Sequence, residues 1–83
     1  MQINVKCYVS RDGEEAFAHP DYEEKAERYK MKTVYRAIII DPSRIAFLIP
    51  LTMVLHYDDG TAGGKNWILQ DKSFKHVAKC MEE

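Results

Sequence analysis

The run IAFLIPLTMVL, residues 45–55, limits what this chain can fold into more than any other feature. A strand with one wet face alternates apolar and polar residues, and this run is apolar on both pleat faces. It is also too short, and broken by Pro50, to span a bilayer as a helix. It therefore reads as strand over residues 45–51, with core on one side and a helix or another subunit on the other. A second strand follows over 52–57. Pro50 belongs at a strand end, an edge or a bulge, because it has no N–H to give to a ladder. A chain of 83 residues has little to spare for covering such a segment twice. Self-association is the expected remedy.

The remaining segments frame this one. Residues 2–10 alternate, with Ile3, Val5, Cys7 and Val9 on one side and Asn4, Lys6, Tyr8 and Ser10 on the other. Arg11, Asp12 and Gly13 mark a turn, and residues 14–18 fit either a short strand or a loop. Residues 20–31 open on Pro20 with Asp21, Glu23 and Glu24 and place Tyr22, Ala26 and Tyr29 on one face, as a short peripheral helix does. Residues 33–40 are β-branched and aromatic, and Asp41, Pro42 and Ser43 form a turn. A short strand over 67–70 leads to a final helix near 72–82, capped by Asp71 or Ser73, with Phe74, Val77, Ala78 and Met81 as its apolar stripe. The expected fold is α+β, a single domain with an antiparallel meander of about five strands. The alternatives for the sheet are an open form and a small, partly open barrel plugged by the last helix.

Composition narrows the function. Apolar residues make up 46% and charged residues 30%, as in an ordinary soluble domain. A net charge of −1 argues against a dedicated nucleic-acid binder, leaving only a local face of Lys72, Lys75 and Lys79 for that role. No basic stretch followed by an apolar one opens the sequence, so no secretory signal or membrane role is expected. Cys7 and Cys80 read as free thiols in a reducing cytoplasm, although a bridge between them is compatible with the sequence. No zinc-type spacing of Cys and His occurs beyond His76 and Cys80 at i, i+4, and no nucleophile set is legible. The chain is expected to be neither an enzyme nor a cofactor carrier.

Two sets of candidate residues remain. The loop in HYDDGTAGGKNW lacks phosphate-loop spacing and leads into a strand, so it is first a hairpin turn. Its other reading is a small-ligand site for a nucleotide or other anion, with Asp58, Asp59 and Lys65 in the loop and Arg44 and Trp67 giving charge and stacking. Asp58 and Asp59 as a metal or general-base pair would need loop geometry, since adjacent strand residues diverge. Five tyrosines and one tryptophan, with Arg36 beside Tyr35, favour a recognition surface. Tyr35, Arg36, Tyr57 and Trp67 are the expected partner contacts.

The segments IIIDPSRIAFLIP, VLHYDDGT and WILQDKSFKHVAKCM resemble in layout the small FlbD family of flagellar-operon proteins. Asp41, Pro42, Ile45, Gly60, Ser73 and Val77 carry the likeness, over residues 39–82. The resemblance implies a hairpin followed by a helix and carries over no functional residue. About 38 further residues at the N-terminal end and a longer hairpin loop depart from the pattern. The leading expectation is a small interaction protein that binds, occludes or recruits a protein partner, in the manner of a phage or mobile-element inhibitor of a host factor.

Overall fold

The computed structural model describes residues 1–82. The order is β1 (Gln2–Val9), β2 (Glu15–Phe17), a 3-10 turn (Pro20–Tyr22), α1 (Glu23–Arg28), β3 (Lys32–Ile39), a 3-10 turn (Pro42–Arg44), β4 (Ile45–Ile49), β5 (Val54–Tyr57), β6 (Lys65–Ile68) and α2 (Asp71–Glu82). The architecture is α+β, with two antiparallel three-stranded sheets ordered β2-β1-β3 and β4-β5-β6. The sheets do not close into a barrel. They meet at one bridge, Val5 with Leu69, where the end of β6 runs onto the edge of β1 that β2 leaves open. The ambiguous stretch 14–18 supplies the extra strand, β2.

α2 is fastened to this junction. The Asn4 N–H donates to Ser73 Oγ at 2.8 Å, and the Gln70 N–H donates to Asn4 O at 3.0 Å. Ser73 is therefore not the helix cap. It is buried inside the first turn and satisfies a β1 donor that would otherwise lack a partner.

The alternation in β1 does what it promises. Ile3, Val5 and Cys7 are buried with Ile40, Leu55, Tyr57, Leu69 and Val77, and Phe74 and Trp67 pack against this main core. Tyr8, on the opposite face of β1, is also buried, in a second cluster with Ala18, Ala26, Val54 and Ile68. A strand that looks half-wet is thus dry on both faces at one end, because α1 lies over it. That helix is shorter than residues 20–31: it stops at Arg28, and Lys30 turns the chain with φ 53°. Only Ala26 of its expected face is buried, while Tyr22 and Tyr29 lie in solvent.

The apolar run divides between core and surface. Leu48 and Ile45 pack on the main core, and Val54 and Leu55 are fully buried. Phe47, Ile49 and Leu51 are 48%, 40% and 93% exposed. The outer side is covered only in part: the Phe47 ring stacks on His56 at 4.7 Å between ring centres, and Ile49 lies opposite Val54 of the second cluster. β4 is an edge strand with a register shift between Ile45 and Phe47 and Pro50 just past its end.

Candidate functional site

The loop between β5 and β6 closes a hairpin whose register runs from Val54 opposite Ile68 to Tyr57 opposite Lys65. Both acidic side chains turn back on their own backbone. Asp58 Oδ1 accepts from the Gly60 N–H at 3.0 Å, and Asp59 Oδ1 accepts from the N–H and hydroxyl of Thr61 at 3.1 and 2.5 Å. These bonds, chiefly the Thr61 hydroxyl, hold the Asp59 carboxyl below its usual range, with Lys65 adding to the effect. The two carboxylates each serve a separate turn and do not converge. Gly64, at φ 63°, is the tight point: a Cβ there would meet Tyr57 O at 2.5 Å. The loop is therefore built as a turn, with its carboxylates spent on turn geometry.

Past the loop, β6 carries two of the expected ligand residues into one place. Lys65 and Trp67, two apart and so on one face, line a groove of about 390 Å³ with Phe17, His19 and Tyr22 from the opposite wall. Trp67 packs against two rings, Phe17 tilted at 6.1 Å between ring centres and Tyr57 stacked at 5.1 Å. Tyr57 itself is buried, and its hydroxyl accepts from the Asp41 N–H at 2.9 Å. It is a buried support stacked against Trp67 and does not stand on an open surface. Arg44 is exposed on the turn before β4; its carbonyl accepts from the Asp58 N–H, but its side chain does not line the groove.

The opposite wall was not legible as a site. Phe17, His19 and Tyr22 sit where the sequence fits a short strand or loop and then a helix start, and the only signal there is the aromatic and imidazole clustering around Pro20. His19 is held by accepting the Asp21 N–H on Nδ1 at 3.1 Å and lies 5.4 Å from the Tyr22 ring.

The other expected partner residues stand elsewhere. Tyr35 and Arg36 are neighbours on β3 and project to opposite faces. Arg36 is bound by Glu15 through two bonds, 2.7 and 3.2 Å, across β1. That fork lowers the Glu15 carboxyl pKa. Cys7 lies beside it, and burial first, then the charge of Glu15, push its thiol up. Cys7 and Cys80 are both free, so no bridge joins them. On α2, Lys72, Lys75 and Lys79 are exposed on one side, with Lys75 paired to Asp71 at 3.1 Å. Among the described residues no three His, Cys, Asp or Glu side chains gather at a metal-binding distance, and no helix is long and apolar enough to cross a membrane.

No protein-family profile, curated protein or solved structure matches the chain.

Proposed function

We propose that this chain is a small, non-enzymatic interaction protein that self-associates and docks on a protein partner to occlude or recruit it. The observation that carries the reading is the outer side of residues 45–51. There Leu51 lies in solvent and Phe47 and Ile49 stay partly exposed beside a strand edge, although they lie in the most apolar part of the chain. Apolar side chains grouped on a surface mark docking sites more often than scattered ones do. The surface area adds support. The chain exposes 5967 Å², whereas a compact monomer of 9.7 kDa exposes roughly 5100 Å². The test compares the native chain with the Phe47→Asp, Leu51→Asp double variant by affinity capture from the source cell and by light scattering over a range of concentrations. A specific partner held by the native chain and lost by the folded variant is the expected result. Equal capture by both, with strictly monomeric scattering, would refute the reading.

A second reading rests on the groove that holds Lys65, Trp67 and His19 together. A flat anion such as a nucleotide would stack on an aromatic wall and meet the Lys65 ammonium. Thermal-shift titration with nucleotides tests it: a shift that Lys65→Ala removes is expected, and no shift with any nucleotide ends it.

A further inference from the structure

We infer that two copies of this chain pair through their β3 strands, antiparallel about a two-fold axis at Ala37, to make one continuous sheet; this rests on the self-association reading above. The register with β1 decides which backbone groups of β3 are free. The Ile40 N–H donates to Met1 O at 2.8 Å, and the Met1 amine donates to Ile40 O at 2.9 Å, so this pair exchanges both bonds. Bonded and non-bonded pairs alternate along an antiparallel ladder. The β1/β3 register is unbroken from Gln2–Ile39 to Val9–Lys32. Lys32, Val34, Arg36 and Ile38 therefore bond to β1. Thr33, Tyr35, Ala37 and Ile39 aim their N–H and C=O groups away from the sheet.

Edges of this kind are normally blunted by shortness, bulges, proline or charge. β2 has three residues, and β4 has five, with a bulge and a following proline. β3 has eight residues, no register shift, and no proline before Pro42. Its charges are Lys32 at one end and Arg36, which Glu15 already neutralises.

The strand is also self-complementary in one register. An axis normal to the sheet keeps each side chain on its own face, so a residue can only oppose one of the same parity. Centring at Arg36 would set two guanidinium groups against each other. Centring at Tyr35 would leave Ile39 beyond the start of the facing strand at Lys32. Centring at Ala37 puts the smallest side chain at the axis and sets Tyr35 against Ile39 of the second copy, twice. Ile39 is 83% exposed, the most open side chain in any strand of the apolar set, and an aromatic against a β-branched residue is a favourable cross-strand pair. The same register sets Thr33 against Asp41 of the second copy at both ends.

The test uses the full chain with Cys80→Ser, oxidised by glutathione disulfide. In this register the two Ala37 Cα atoms stand about 5.5 Å apart, within disulfide reach. The two Thr33 Cα atoms stand about 26 Å apart. Ala37→Cys should form a covalent dimer at least ten-fold faster than Thr33→Cys. Ala37→Pro removes only an outward N–H, so it should sediment as a monomer while keeping the native circular dichroism spectrum. Equal cross-linking of the two cysteine variants in a native chain that sediments as a dimer overturns this register and leaves self-association standing. A native chain that remains monomeric at millimolar concentration overturns both.

Discussion

Replacing Tyr8 by phenylalanine should make this protein more stable. Tyr8 is 5% exposed, and its ring packs on Ala18, Ala26, Val54 and Ile68. Its hydroxyl is buried with no protein hydrogen-bond partner among the described residues. Burial, helped by the nearby Glu23 charge, raises its pKa, so it stays a neutral phenol. A buried hydroxyl with no partner costs roughly 1–3 kcal/mol, because the unfolded chain keeps it hydrated. Phenylalanine keeps the ring and every apolar contact and discards that cost. Lys6, 5.6 Å from the ring centre, loses at most a few tenths of this as a cation–π contact weakened by exposure. The net gain is about 1 kcal/mol, a rise of some 4–8 °C in Tm for a domain of this size. Urea unfolding followed by Trp67 fluorescence measures it, with an unchanged slope expected. Tyr57→Phe is the matched control of opposite sign. Its hydroxyl accepts from the Asp41 N–H, so deletion should cost about 1–2 kcal/mol. If Tyr8→Phe destabilises by 1 kcal/mol or more, the hydroxyl has a partner and the reasoning fails.

Three further outcomes follow from single contacts. Gly64→Ala should cost at least about 2 kcal/mol, since its Cβ meets backbone, whereas Gly60→Ala, with open space around it, should cost only the backbone strain of about 1 kcal/mol; thermal melts of the two distinguish them. Ser73→Ala strands the Asn4 N–H at the junction of the two sheets and should cost about 1–2 kcal/mol in chemical denaturation, with faster amide exchange at Asn4. Glu15→Gln tests the fork with Arg36. A carboxyl lowered in the folded state adds stability above its unfolded value of 4.5 and loses it as pH falls through the lower folded value, so the variant should be the less stable of the two at pH 7 and should converge with the native chain as pH falls, flattening that part of the acid-unfolding curve.

Period and punctuation carried most of the fold in the sequence. The alternation of Ile3, Val5 and Cys7, the turn at Asp41-Pro42 and the Phe74/Val77 stripe each depend on neighbours in the chain, and each stands where those local rules put it. What local rules cannot reach is coverage by distant elements. Tyr8 alternates as a wet residue and is dry because Ala26 and Met31 come over it. Ser73 has the chemistry of a cap and instead meets a strand 69 residues away. The groove was half legible for the same reason. Lys65 and Trp67 share a strand and a face, but the wall of Phe17, His19 and Tyr22 arrives through β2, whose three residues give too short a pattern to read.

The two open surfaces lie on different sheets, and that separation has a consequence. The free edge of β3 belongs to the sheet β2-β1-β3, whereas Phe47 and Ile49 belong to β4 in the other sheet. Pairing through β3 would consume the first without touching the second. The dimer would then present two copies of the Phe47/Ile49/Leu51 surface, related by the two-fold axis. Against a partner that is itself repeated, a second contact is intramolecular and tightens binding without any new residue. A weak single contact, which is all that three exposed apolar side chains supply, then suffices for occlusion. Ala37→Pro should therefore weaken capture of a multimeric partner while leaving capture of its isolated subunit unchanged. Equal loss on both would mean that β3 itself touches the partner.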